Sequence, residues 1–128
     1  MDKIYLLARL KGAAFPDGYN VTPCQVQTSG AASVLWWTPD QRLQIGGSSL
    51  ADKRDLRVVD LSSQFALLTV PDEARILFPV DVSAGEAKRT LFGPHRVCLF
   101  QLDNDLRAVV LRSQLWAVQT RLGLRPAR

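Results

Sequence analysis

One histidine and two cysteines stand among 128 residues, and that scarcity excludes the paired Cys and His ligand motifs from which zinc sites are built. His95 and Cys98, in "FGPHRVC", supply only half of such a motif, with Cys24 as the one remaining thiol. No metal site is expected, and two lone cysteines read as free thiols rather than a bridge. Long apolar runs are missing too, for no stretch approaches the roughly 20 residues of a membrane span. The opening segment "MDKIYLLARLKGAAF" is led by Asp2 and broken by Arg9 and Lys11, unlike a secretory signal, which puts its positive charge before an unbroken apolar stretch. The expectation is a soluble, cytoplasmic protein with no membrane partner.

Catalytic patterns are equally sparse. "IGGSS" (45–49) lacks the Gly-Lys-Ser/Thr ending of a phosphate loop. Cys98 alternates with Arg96 and Phe100 in an apolar strand, which reads as structural burial rather than as a nucleophile beside a base. The carboxylate pairs Asp72–Glu73 and Asp103–Asp105 sit at turns or helix starts, where acids are expected for local reasons. These absences lean away from an enzyme, and no cofactor is expected. No internal repeat or low-complexity tract is visible.

The hydrophobic share is 47% and the charged share 22%, the composition of a folded globular chain. The length suits a single domain over 1–128 that buries roughly two-thirds of its unfolded surface. The net charge is +4. All of the excess lies in the last 25 residues, where Arg107, Arg112, Arg121, Arg125 and Arg128 face one acid, Asp105.

Residues 1–102 read as strand-rich. "KIYLLARLK" (3–11), "YNVTPCQVQ" (19–27, interrupted by Pro23), "SVLWW" (33–37), "LRVVDL" (56–61), "FALLTV" (65–70), "RILFPVDV" (75–82) and "RVCLFQL" (96–102) alternate or are rich in β-branched and aromatic residues. A short strand is allowed at "RLQI" inside the polar stretch 38–55, and 83–95 reads as a loop. Ile76, Phe78, Val80 and Val82 share one face of the 75–82 strand. In 103–123 the period changes. Ala108, Leu111, Leu115, Val118 and Leu122 recur at spacings of 3 and 4, the mark of a helix stripe. The stripe favours one long helix over about 104–122, capped at Asp103 or Asn104 and ended by Gly123, with a basic tail at 123–128. The rival is a hairpin through Asp103–Asp105 followed by a shorter helix from Ser113. The fold expected is α+β: a six- or seven-stranded mixed or antiparallel sheet with one long C-terminal helix packed on it.

Trp36 and Trp37 are adjacent on a strand, so their side chains point to opposite faces and the sheet is covered on both sides. The helix carries Val109 and Trp116 outside its stripe and is too apolar for one whole side to face water. The function expected is non-enzymatic interaction, through self-association or a protein partner, as in a small inhibitor, adaptor or assembly subunit. Its surface is Val109, Arg112 and Trp116 with Trp36 or Trp37, aromatic anchors rimmed by arginine. The alternative is a nucleic-acid-binding accessory protein, with Lys88, Arg89, Arg96, Arg121, Arg125 and Arg128 on phosphates and a tryptophan stacking on a base.

Overall fold

The computed structural model describes residues 3–10 and 12–124. They form two compact units, Met1–Ser62 and Ser63–Arg128. The N-terminal unit is a five-stranded antiparallel sheet of β1 (Ile4–Arg9), β2 (Val26–Ser29), β3 (Ala32–Thr38), β4 (Gln41–Ile45) and β5 (Leu56–Asp60), in the order β2-β3-β4-β1-β5. The C-terminal unit is a four-stranded antiparallel sheet of β6 (Phe65–Thr69), β7 (Ala87–Phe92), β8 (His95–Leu102) and β9 (Asp105–Leu111), in the order β6-β9-β8-β7. Its chain ends in a 3-10 turn, Arg112–Gln114, and a short helix, α1 (Leu115–Arg121).

The order of the first four strands is the same in both units, so the structure corrects the expectation that nothing repeats. Flanking hydrogen bonds agree as well. Arg9 N donates to Asp40 O and Gly46 N to Lys3 O in the first unit; Val70 N donates to Leu106 O and Arg112 N to Gln64 O in the second. This register equates Leu7 with Leu68, Val34 with Val97 and Leu35 with Cys98. Each β-hairpin into the third strand turns at a glycine with positive φ, Gly30 at 60° and Gly93 at 61°, a conformation that disfavours any Cβ. At Gly93 a Cβ would also come within 2.7 Å of the Arg121 guanidinium.

Two cores follow from the alternation of the strands. In the N-terminal unit Tyr5, Leu7, Val34 and Leu56 line one face and pack against Phe15, Tyr19 and Val21 from the long β1–β2 connection. In the C-terminal unit Ala66, Leu68, Val97, Leu99, Ala108 and Val110 line the equivalent face. The β6–β7 connection covers it with Ala74 and Phe78, and α1 adds Val118 and Leu122. The Phe78 and Phe92 rings stack there at 4.6 Å. Cys98, Phe100 and Val109, on the opposite face, are buried too.

The expected architecture is overturned at several points. Nine strands in two antiparallel sheets replace one sheet of six or seven, and the long helix at 104–122 does not form. "DLRAVVL" is β9; Asp103, with φ 52°, turns the hairpin, and only residues 115–121 are α-helical. The helical stripe was a coincidence of strand and helix periods: Ala108 faces the core from a strand, and Val118 and Leu122 do so from a helix. The β-branched pair Val109–Val110 and the paired edge of β8 decide for strand. The expected strand at 75–82 is instead a 3-10 helix, Asp72–Leu77, followed by irregular chain. Pro71 and Pro79 remove ladder donors at both ends. Phe78, Val80 and Val82 still reach the core, but Ile76 does not. Strand β7 lies where a loop was expected, in 83–95. No helix among the described residues is long and apolar enough to cross a membrane.

Candidate interaction surface

The strongest chemical contrast within the fold lies on the covered face of the N-terminal unit. Strand β4 places Arg42 between Leu7 and Trp36, and Gln44 between Tyr5 and Val34. Both polar side chains are buried, at 5% and 0% exposure. Nothing in "RLQI" announced this, since alternation with Leu43 and Ile45 reads equally well as a polar face in water. The signal was in the loop: Phe15, Tyr19 and Val21 are too apolar for a solvated connection.

The polar groups are satisfied locally. Arg42 Nε donates to the Tyr19 carbonyl at 3.0 Å, and Nη1 to those of Thr38 at 2.8 Å and Gln41 at 2.9 Å. Its guanidinium carbon lies 4.3 Å from the Phe15 ring centroid, and that of Arg9 lies 4.8 Å away. Burial and then the Arg9 charge push the Arg42 pKa down while Asp40 pulls it back; an arginine stays charged regardless. Asp40 itself is paired with Arg9 at 3.2 Å. Tyr19 Oη donates to Gln44 Oε1 at 2.9 Å, and Gln44 Nε2 donates to the carbonyls of Gly46 and Ser48. Burial pushes the Tyr19 phenol pKa up. The arrangement pins the β1–β2 connection to the sheet, with the donors of Arg42, Tyr19 and Gln44 each aimed at a backbone or amide oxygen.

The two tryptophans take different places. Trp36 packs against this core and is half-buried. Trp37 is the extra residue where the β3–β4 register shifts between Trp36 and Thr38, a bulge that locally re-aims a side chain.

The other expected surface residues do not share one helix face. Val109 is buried at 2% exposure within β9, Arg112 is half-buried in the 3-10 turn, and Trp116 is on α1 at 56% exposure. Trp116 has company that the sequence reading missed. Ile76 is 88% exposed, and Leu77 and Leu124 are exposed as well. Ile76 and Leu77 belong to the 3-10 helix, Trp116 to α1, and both elements cover the same face of the β6–β9 sheet. In α1, Leu115, Val118 and Leu122 turn inward at spacings of 3 and 4, which sends Trp116 outward. In the 3-10 helix Ala74 is the inward residue. The alternation of Ile76 with Phe78, Val80 and Val82 had placed all four on one face, and the 3-10 helix turns Ile76 away from the other three.

The cations of the nucleic-acid alternative alternate between faces. Lys88 stands opposite Leu99 and binds the Asp81 carbonyl at 2.8 Å, with Glu86 at 3.8 Å. Arg89 and Arg96 are exposed and lie on the other face, which carries Cys98. Arg121 lies over Gly93. Arg125 and Arg128 are outside the described residues. Both cysteines are free, Cys24 exposed and Cys98 buried. Burial pushes the Cys98 thiol up to about 12, far from the range of a reactive thiolate. Among the described residues no three His, Cys, Asp or Glu side chains are grouped to hold a metal ion.

No protein-family model matches the chain, and no curated protein matches it either. Among solved structures its fold is similar to that of a chain in the heterotetrameric sarcosine oxidase from Corynebacterium sp. U-96, in complex with pyrrole 2-carboxylate. The TM-score is 0.73 and the identity 17%, over 99% of this chain and 83% of that one. At that identity the likeness is one of fold alone.

Proposed function

We propose that this chain is a subunit of a protein assembly and acts by binding rather than catalysis. The observation that carries the reading is a group of exposed apolar side chains on and just after the elements that cover the C-terminal sheet, Ile76, Leu77, Trp116 and Leu124, beside the exposed Leu91 of β7. Large apolar residues on the outer side of two covering elements are what an interface core requires, with an aromatic as anchor. The fold is consistent with it, since the similar chain belongs to a heterotetramer.

The test uses the tagged full chain purified from its own cells after mild cross-linking, beside an Ile76→Asp/Trp116→Asp double variant. The expected result is a stoichiometric partner on the wild type that is lost from the variant. Both positions are exposed, so the substitutions open no core cavity, and circular dichroism of the variant checks that it keeps its fold. An identical set of co-purifying chains for the two proteins, or none for either, overturns the reading.

A further inference from the structure

We propose that the outer edge of β6 pairs with the β6 edge of a second copy of this chain, joining two four-stranded sheets across a two-fold axis at Leu67. The inference rests on the assembly reading but not on the Ile76–Trp116 surface. It starts from the repeat. In the N-terminal unit the outer edge of β1 is taken by β5, antiparallel, with Leu6 opposite Val59 and Ala8 opposite Arg57. The equivalent edge in the C-terminal unit belongs to β6, and there the chain after β9 turns into α1 instead of returning as a fifth strand.

The register says which groups are left. Gln64 O and Val70 N bond toward β9, and in an antiparallel ladder alternate residues face alternate neighbours. Ala66 and Leu68 therefore face β9, and the N–H and C=O groups of Phe65, Leu67 and Thr69 point outward. Among the described residues no backbone group pairs with them. The other sheet edges are each protected. Val58 N on β5 is held by Asp52 Oδ1 at 2.6 Å, and Leu56 exchanges both backbone bonds with Lys53. Strand β7 carries Lys88 and Arg89, and β2 is only four residues long and mostly polar. Short strands, charges and local caps are the usual protection of an edge. Strand β6, "FALLT", carries no charge, and among the described residues no side chain caps its outer edge.

Its sequence also fits itself. Antiparallel pairing about Leu67 sets Phe65 against the second copy's Thr69, and Ala66 against its Leu68. No charge meets a like charge, and each of the three outward residues forms a hydrogen-bonded pair. A closed two-fold contact of this kind is isologous and does not propagate into a fibre.

The experiment is sedimentation velocity on the purified full chain from about 1 to 200 µM, a range set by the weak affinity of so small an interface. The expected wild-type mass rises with concentration from that of one chain, 14.2 kDa, to twice that value. Leu67→Lys and Leu67→Glu each put like charges on the axis and stay monomeric, while their equimolar mixture recovers the dimer. Thr69→Lys, at an exposed position, weakens association without touching the core and serves if the Leu67 variants fail to fold. A wild type that is monomeric throughout, or charge variants that still dimerise, or a mixture that does not recover, overturns the pairing. None of these outcomes changes whether a different partner is lost from the Ile76→Asp/Trp116→Asp variant, so the two readings fail separately.

Discussion

The two units solve one packing problem with opposite chemistry. At the centre of the covered face, where β4 lies between β1 and β3, the N-terminal unit places Arg42 and Gln44. The C-terminal unit places Ala108 and Val110 at the equivalent positions of β9, with 0% and 1% exposure. What covers each face explains the difference. Around the N-terminal core lie two connections without helix, β1–β2 and the start of β4–β5, whose backbone carbonyls at Tyr19 in the first and at Gly46 and Ser48 in the second need donors. The C-terminal cover includes α1 and a 3-10 helix, which bond part of their own backbone and give the core Ala74, Val118 and Leu122. A buried polar strand is therefore the counterpart of an irregular cover. An apolar one is the counterpart of a helical cover.

Exchanging the chemistries should break this relation most severely in one direction. Ala108→Arg puts a guanidinium against Leu68 and Leu99 with no carbonyl to receive it. Removing a buried charge's partners costs about 3–5 kcal/mol, and here the side chain must also be accommodated in a filled core. The expected outcome is a loss of about 4 kcal/mol or more in urea unfolding, or a C-terminal unit that no longer folds. A soluble variant losing less than about 1 kcal/mol would mean that the helical cover can supply acceptors, and the relation would be wrong.

The reverse exchange is milder. Gln44→Val leaves the Tyr19 hydroxyl and two carbonyls without their partner and should cost about 2 kcal/mol. Tyr19→Phe alone should cost about 1 kcal/mol. If the two act through their shared 2.9 Å bond, the double variant loses less than the sum, by about 1 kcal/mol. Strict additivity would show that the bond contributes nothing and that Gln44 matters only for the Gly46 and Ser48 carbonyls.

The same contrast explains what could be read from the sequence. Strands β1, β5, β6 and β8 were legible because their apolar residues alternate or run together. Edge strand β7 was not, since "AKRTLF" has a mostly polar outer face and reads as loop. Residues 105–111 and 115–121 were merged into one helix because Ala108 and Val118, inward from different elements, fall ten apart and fit a helical period. The repeat stayed hidden because its key positions differ in chemistry: Arg42 against Ala108, Gln44 against Val110, Leu35 against Cys98. Only Leu6 and Leu67, Leu7 and Leu68, Val34 and Val97, and the turn glycines match. Trp116 was legible as an outward residue, although the helix that presents it is a third of the expected length. Ile76 was missed because proline on both sides converts an alternating segment into a 3-10 turn.

The mildest difference between the units lies at Leu35 and Cys98, equivalent buried positions of which only the second can ionise. Cys98 titrates at about 12 in the folded chain against an ordinary 9.0, because burial disfavours the thiolate. Its folded pKa is raised, so its contribution to stability is complete below pH 9 and is lost as pH rises through 9 toward 12. The chain should therefore lose stability above pH 9 with a steeper slope than Cys98→Ala, which lacks this group, while the two slopes coincide between pH 7 and 8.5. The steepening is at most about 1.4 kcal/mol per pH unit. A thiol reagent at pH 8 should label Cys24 at once and Cys98 only after denaturant is added, because the reactive thiolate is absent from the buried site. Equal slopes for wild type and variant, or rapid labelling of both thiols, would show that the β8 face opens easily to water and that the C-terminal core is looser than its apolar centre implies.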